Sequence, residues 1–178
     1  METILALILS VALEVGIPPY FAQAIAYAEH WNGSVENTVI NPKADTNVNE
    51  DKSIDLGVMQ LNSRYINDFV FLFWDKPWEF KWESPYDNIY IGCKQIEWLM
   101  KRCTTYWSVA VAYNCGIDRV LKGNPPHRST VYADRVIRIW NELSGGRART
   151  LVLSSYEEWN YSVWVADIIY GLELKSRN

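Results

Sequence analysis

Residues 18–31 read PPYFAQAIAYAEHW and predict a helix. A proline pair suits the first turn of a helix, where the missing N–H groups have no intrahelical partner, and Asn32-Gly33 provides a C-terminal stop. Glu29 follows Ala26 by three residues and Ile25 by four, so it extends a stripe of small apolar residues that faces the core. Three more polar or amphipathic side chains fall on other faces of this helix: Gln23, Tyr27 and His30.

The core-facing carboxyl of Glu29 has two interpretations. Burial in apolar surroundings raises the pKa of a carboxyl and turns it into a general acid that works near neutral pH. Alternatively, a Lys, an Arg or a backbone amide pairs with Glu29 and the residue only anchors the helix. The helix position alone favours the anchoring interpretation, since structural ion pairs also shift pKa values.

Length and charge restrict the class of protein. A chain of 178 residues predicts one main domain with a substantial core. The net charge is −4, from 21 acidic against 17 basic residues, with no cluster of basic and aromatic side chains. Nucleic acid is therefore not an expected partner.

Aromatic residues are abundant, at 14% of the chain with nine Trp and eleven Tyr. Several fall in polar stretches, notably residues 73–82, where flat amphipathic rings suit the faces of sugars. The alternative is that most of them fill a helical core.

The three cysteines, Cys93, Cys103 and Cys115, have no metal-ligand spacing, and we expect free thiols and no metal site. The first 16 residues carry an apolar run, but Glu2 stands where a signal peptide has basic residues, and the run is too short to span a bilayer. We interpret it as a first structural helix, with no visible signal peptide and no membrane anchor.

The remaining chain alternates predicted helices with polar loops. Residues 34–53 predict a long irregular loop, and loops of that length in compact domains are usually functional. Residues 54–63 predict either a ligand-lining turn, with Gln60 and Asn62 as donors and acceptors, or a strand-to-helix junction capped by Ser63. Further helices are expected at residues 63–73, 87–102, 106–114 and 130–143, and, less regularly, a strand at 150–153 and a helix at 155–170.

Four motifs occur in a fixed order. They are Ala28-Glu29, residues 55–63 (DLGVMQLNS), residues 110–116 (AVAYNCG) and residues 132–136 (YADRV), with residues 88–92 (NIYIG) as a helix start. Together they resemble the lytic transglycosylases of the lysozyme superfamily, the family-23 glycoside hydrolases that carry an SLT domain. The second motif is similar to that of small members associated with secretion systems, conjugation and phage particles.

The resemblance implies a mainly α, lysozyme-like (goose-type lysozyme/SLT) helical domain with little or no β-sheet. It divides the chain into a catalytic domain at residues 1–143 and a C-terminal extension at residues 144–178. The substrate would be peptidoglycan, so the protein would act on the cell wall, in the periplasm or on the extracellular side. A secretion-system, conjugation or phage-particle component would be a partner.

Site residues follow from the same resemblance. Glu29 would be the catalytic acid and base, Met59 and Gln60 would line the cleft with Asn62 close by, and Tyr113, Asn114 and Tyr132 would orient the acid and the N-acetyl sugar. The lytic reaction forms a 1,6-anhydro product and needs no metal or cofactor. Three residues depart from the family pattern: His30 in place of Ser, Cys115 in place of Ala, and Arg128 where larger members carry an acid.

Two alternatives stay open. A goose-type lysozyme activity would use water and a second acid, for which Asp55 and Asp45, with Asp51, lie in a suitable loop. A catalytically weak glycan-binding or assembly module would keep the fold without turnover. The C-terminal extension, with apolar Trp159, Val163 and Trp164, is expected to pack against the domain or bind a partner.

Overall fold

A computed structural model of the chain describes residues 3–41, 47–49 and 51–146. Seven α-helices occur in this part of the chain: α1 (Ile4–Val15), α2 (Pro19–Glu29), α3 (Ile66–Phe73), α4 (Pro85–Met100), α5 (Tyr106–Cys115), α6 (Ile117–Leu121) and α7 (His127–Leu143). Three short strands, β1 (Asn47–Val48), β2 (Ile54–Leu56) and β3 (Leu61–Asn62), form one small antiparallel sheet. The expectation of a mainly α fold with little β-sheet is confirmed.

Helix α2 lies in the centre of the fold, between α1 and α7. Every residue from Pro19 to Ala28 is buried, because small alanines let helices approach on several sides. The prediction of one packed stripe is therefore wrong: Gln23 and Tyr27 are only 5% and 7% exposed. Gln23 is accommodated because its side-chain amide donates to the Leu5 carbonyl at 3.1 Å.

The C-terminal end of α2 comes earlier than predicted. The helix stops at Glu29, and the His30 N–H closes it by bonding to the Ala26 carbonyl at 3.3 Å. Gly33, with φ of +86°, lies beyond the helix. Glu29 is therefore the last helical residue, and its side chain projects from the end of α2.

Residues 54–63 form a β-hairpin, in which Asp55 pairs with Asn62 and Leu56 with Leu61. Positive φ values at Gly57 (+70°) and Gln60 (+47°) make the turn between the strands. The prediction that Ser63 caps a helix is wrong, because its hydroxyl accepts from the Ile54 N–H at 2.9 Å and α3 begins only at Ile66.

Helix α4 begins two residues before the predicted start. Ser84 is its N-cap, accepting from the Asp87 N–H at 3.3 Å, while Asp87 accepts from the Ser84 hydroxyl at 2.8 Å. Ser84, and not Asp87 at the predicted start, therefore caps the helix. Glu97 is only 8% exposed although it is charged, because Lys94 and Lys101 both pair with it.

Helix α5 confirms the helix predicted at residues 106–114; Tyr106 and residues 109–112 are buried, and the helix packs against α4 and α7. An edge-to-face cluster of Phe21, Tyr106 and Trp140, with centroids 4.7 to 5.1 Å apart, joins α2, α5 and α7. Helix α7 begins at His127, directly after Pro126, three residues before the predicted start. These contacts fix α2 relative to α7.

Two further predictions are confirmed, the free thiols and the helix at the N-terminus. Cys93, Cys103 and Cys115 are free thiols, and the apolar N-terminal run forms α1, which packs on α2 and α4. No helix of the described residues has the length and apolar character needed to cross a membrane. The strand and helix predicted after residue 146 lie outside the described residues, and the domain boundary at residue 143 stays a prediction.

Candidate active site

The carboxyl of Glu29 is held by one hydrogen bond from a distant helix. Tyr132, on α7, donates its hydroxyl hydrogen to Glu29 Oε1 at 2.7 Å. Within the described ranges Glu29 forms no ion pair and accepts no other hydrogen bond. The interpretation in which a Lys, an Arg or a backbone amide anchors Glu29 therefore has no support in this structure.

Burial raises the pKa of Glu29 from 4.5 to about 8. The hydrogen bond from Tyr132 acts in the opposite direction, the charge of Asp55 adds to the increase, and the charge of Arg135 lowers the pKa slightly. Desolvation dominates because no cation of the described residues forms an ion pair with this carboxyl. At neutral pH the group is mainly protonated and so is ready to donate a proton.

Two tyrosines face the acid from α5 and α7. Burial, together with the charge of Glu29, raises the pKa values of Tyr113 and Tyr132 well above 10. Both phenols therefore stay protonated and act as donors. Tyr113 donates to the Met59 carbonyl at 2.8 Å, which ties α5 to the hairpin turn.

The hairpin turn is also tied to α4. Asn88, which is fully buried, accepts from the Met59 N–H at 2.8 Å and donates to the Leu56 carbonyl at 3.0 Å. The Met59 side chain is fully buried against Gly92, where an added Cβ would lie 2.6 Å from Met59 Cγ. Gln60 is 8% exposed and donates to the Gly57 carbonyl at 2.8 Å.

The end of α5 brings Asn114 near the start of α7. Its Oδ1 accepts from the hydroxyl of Ser129, a fully buried residue, at 2.8 Å. Asn114 is exposed, and its Nδ2 group has no hydrogen bond to another described residue. That NH₂ group is available to a ligand as a donor.

The candidate second acids occupy different positions. The Asp55 oxygens accept from Asn49 Nδ2 at 3.1 Å and from Asn62 Nδ2 at 2.9 Å. Asp51 instead pairs with Arg64 at 2.9 Å on the surface. Asp45 lies outside the described residues. Among those that are described, no three His, Cys, Asp or Glu side chains gather into a metal site.

A family model described as the transglycosylase SLT domain matches residues 7–130. The chain belongs to this family. No curated protein and no solved structure matches it. The matched residues contain Glu29, the hairpin and α5, while Tyr132 lies just beyond them on α7.

In this SLT domain His30 directly follows the glutamate. Its Nε2–H donates to the Val58 carbonyl at 3.0 Å, so the ring ties the end of α2 to the hairpin. Burial lowers the pKa of His30, and the neutral ring is therefore the form that fits here.

Asn88 has a supporting role that its motif, residues 88–92, did not predict. The sequence feature that could have indicated this role is an asparagine at the start of the apolar stripe of α4. A polar side chain buried there needs hydrogen-bond partners. No sequence feature indicated the hydrogen bond between Ser129 and Asn114, because the two residues lie on different helices.

The aromatic stretch forms a separate open depression of about 460 Å³ between α3 and the segment that follows it. Phe71 and Trp78 border it and are 76% and 80% exposed. Glu29 does not line it, so this depression of the SLT domain is distinct from the surroundings of the acid.

Proposed function

We propose that this SLT domain is a peptidoglycan lytic transglycosylase that cleaves the β-1,4 bond between MurNAc and GlcNAc and leaves a 1,6-anhydro-MurNAc end. One observation carries the proposal. The carboxyl of Glu29 is partly buried, forms no ion pair with a described residue, has a pKa of about 8 and, among the described residues, accepts one hydrogen bond, from Tyr132. Such a group can first give and then take a proton.

In the first step, protonated Glu29 donates its proton to the glycosidic oxygen and the bond from C1 of MurNAc to that oxygen breaks. The N-acetyl group of the substrate assists by stabilising the positive charge that develops at C1. Ordinary glycoside hydrolysis uses a second carboxylate at this point. In the lytic reaction the substrate itself supplies this assistance.

In the second step, the Glu29 carboxylate removes the proton of the MurNAc C6 hydroxyl. The C6 oxygen then attacks C1, the 1,6-anhydro ring closes and Glu29 is protonated again. Tyr132 supports both steps because its hydrogen bond remains on Oε1 while Oε2 is left for the proton transfers.

The other site residues have proposed supporting roles. The free amide of Asn114 is suited to bind the N-acetyl sugar, and Tyr113 fixes the Met59 carbonyl and with it the hairpin turn. Gln60 and Asn62 offer polar groups along the hairpin, and Met59 supports it from the core. All five residues would shape the sugar site without taking part in proton transfer.

A goose-type lysozyme-like hydrolase is the second candidate, because the charge of Asp55 acts on Glu29. In that reaction Asp55 would activate water and the product would be a reducing MurNAc end. A glycan-binding or assembly module without turnover is the third. Mass spectrometry of digested peptidoglycan distinguishes all three by anhydro ends, reducing ends or no new ends.

The proposed substrate places the reaction at the cell wall, in the periplasm or outside the cell. We propose residues 1–143 as the catalytic domain and residues 144–178 as an extension that packs on it or binds a partner. A component of a secretion system, a conjugation apparatus or a phage particle is the proposed partner.

The decisive experiment compares the wild-type protein with Glu29→Gln on purified peptidoglycan. We expect anhydro-muropeptides from the wild type and a loss of at least about a thousandfold in the variant, since the amide cannot donate the proton. Glu36→Gln, an identical change at an exposed position, should keep full activity. Equal activity of Glu29→Gln and the wild type would refute the proposed role of Glu29.

A further inference from the structure

Two arginines of α7 lie against one tryptophan that follows the catalytic glutamate. The Cζ atoms of Arg135 and Arg138 are 5.7 Å and 5.3 Å from the ring centroid of Trp31. Both distances are within the range of cation–π attraction. Trp31 and Arg135 are half-buried and Arg138 is exposed, so the positive charges stand at the surface beside the end of α2.

Neither charge is neutralised within the part of the chain that the structure describes. Arg135 and Arg138 form no ion pair and no hydrogen bond with a described residue. Asp134, four residues before Arg138, is instead held by Trp107 Nε1 at 2.8 Å. Two adjacent guanidinium groups with all their donors free are suited to an anion from outside the chain.

The position of this cluster relative to the acid narrows the choice of anion. Arg135 follows Tyr132 by three residues, so both side chains leave the same side of α7, and Tyr132 contacts Glu29. The charge of Arg135 also acts on the Glu29 carboxyl. An anion bound here would therefore belong to the sugar that reacts at Glu29 or to its immediate substituent.

We infer that Trp31, Arg135 and Arg138 form a binding site for the carboxylate carried by the muramyl residue of the substrate. This inference rests on the proposed function, which supplies a substrate of alternating GlcNAc and MurNAc. Only the muramyl sugar carries an acidic substituent, either the lactyl carboxylate itself or the carboxylates of a stem peptide attached to it. Guanidinium groups bind carboxylates through two parallel N–H donors, and the apolar face of Trp31 supports the ligand beside them.

Binding is measured in a background that cannot turn over, Glu29→Gln, to which Arg135→Gln or Arg138→Gln is added. The ligands are an oligosaccharide with free lactyl carboxylates, the same oligosaccharide with these carboxylates amidated, one with stem peptides, and a GlcNAc-only oligomer. We expect the dissociation constant for carboxylate-bearing ligands to rise about tenfold with Arg135→Gln and about threefold with Arg138→Gln. Raising the salt concentration should reduce both effects.

Arg102→Gln is the matched control, because Arg102 also stacks on a tryptophan, 3.8 Å from the Trp98 centroid, but follows the end of α4 by two residues. It should leave every dissociation constant unchanged. If amidation of the lactyl group abolishes the effect of the arginine substitutions on the dissociation constant, the ligand group is the lactyl carboxylate. If the substitutions weaken binding of the peptide-bearing ligand alone, the ligand group is a carboxylate of the stem peptide.

Two results would overturn the inference: unchanged affinity for carboxylate-bearing ligands, or an equal loss for the GlcNAc-only oligomer. Absence of muramyl binding by the parent Glu29→Gln protein would also overturn it. The proposed reaction is decided separately by the products of the wild-type enzyme. If binding depends on the arginine charges but the wild-type enzyme forms no anhydro products, the proposed reaction is refuted and the inferred carboxylate site still stands.

Discussion

Tyr132 and Glu29 are 103 residues apart in the sequence and 2.7 Å apart in the fold. Because the phenol donates its hydrogen to the carboxyl, it favours the charged form and opposes the desolvation that raises the pKa of Glu29 to about 8. The proton affinity of the acid is therefore set by the packing of α2 against α7.

Removing this hydrogen bond should move the pH dependence of the reaction. In Tyr132→Phe the pKa of Glu29 rises further, so we expect the alkaline limb of kcat/KM to shift to higher pH while the rate falls. The measurement is a pH–rate profile on soluble glycan. Tyr86→Phe is the control, since Tyr86 makes a similar bond to Glu14 at 2.9 Å on the surface. A lower rate with an unmoved alkaline limb would show that Tyr132 does not act on the acid.

The buried carboxyl should also make stability depend on pH. Glu29 binds its proton more tightly in the folded state, with a pKa of about 8 against 4.5, so the free energy of unfolding decreases as pH rises between these values. Glu29→Gln removes this titration while keeping an oxygen that can accept from Tyr132. We expect it to be more stable than the wild type at pH 8.5, by on the order of 3 kcal/mol, and nearly equal at pH 4. Urea unfolding at the two pH values measures this, and equal differences at both would contradict it.

His30 should make the free energy of unfolding depend on pH in the opposite direction. Burial lowers its pKa in the fold, so the unfolded chain binds the proton more readily and stability is lost as pH falls below the ordinary value of 6.5. We expect His30→Gln to lose less stability than the wild type between pH 7 and pH 5. His127→Gln, at the other and exposed histidine, serves as the control. Identical pH dependence of the wild type and His30→Gln would refute the assignment.

Asn88 should be essential to the hairpin. Asn88→Ala leaves the Met59 N–H and the Leu56 carbonyl without their partner inside the core, at a cost of about 2–4 kcal/mol. Asn124→Ala, at an exposed asparagine, should cost less than about 0.5 kcal/mol. Chemical denaturation measures both, and a similar small effect of the two changes would mean that the Asn88 contacts do not hold the turn.

The helical part of the fold and the acid could be predicted from the sequence because their signals are local. The proline pair and the stripe ending at Glu29 needed only the geometry of one helix. The sheet escaped prediction because its strands have two or three residues, too few for an alternating pattern. The burial of Gln23 was missed since periodicity detects one packed face, and the central helix has neighbours on several sides.

The detailed contacts of the site depend on the tertiary fold. Nothing in the spacing of Trp31 and Arg135 indicates that they meet, because Trp31 follows α2, and α2 is held against α7 by the aromatic cluster of Phe21, Tyr106 and Trp140. The family motif predicted Tyr132 as a site residue, but its bond to Glu29 was visible only in the fold.

The backbone of Met59 is hydrogen-bonded to two helices: its N–H donates to Asn88 of α4, and its carbonyl accepts from Tyr113 of α5. Because of these two bonds, we expect the hairpin turn to unfold together with the helical bundle and not in a separate transition. On heating, enzymatic inactivation and loss of helicity should coincide, without an interval in which a helical but inactive species accumulates.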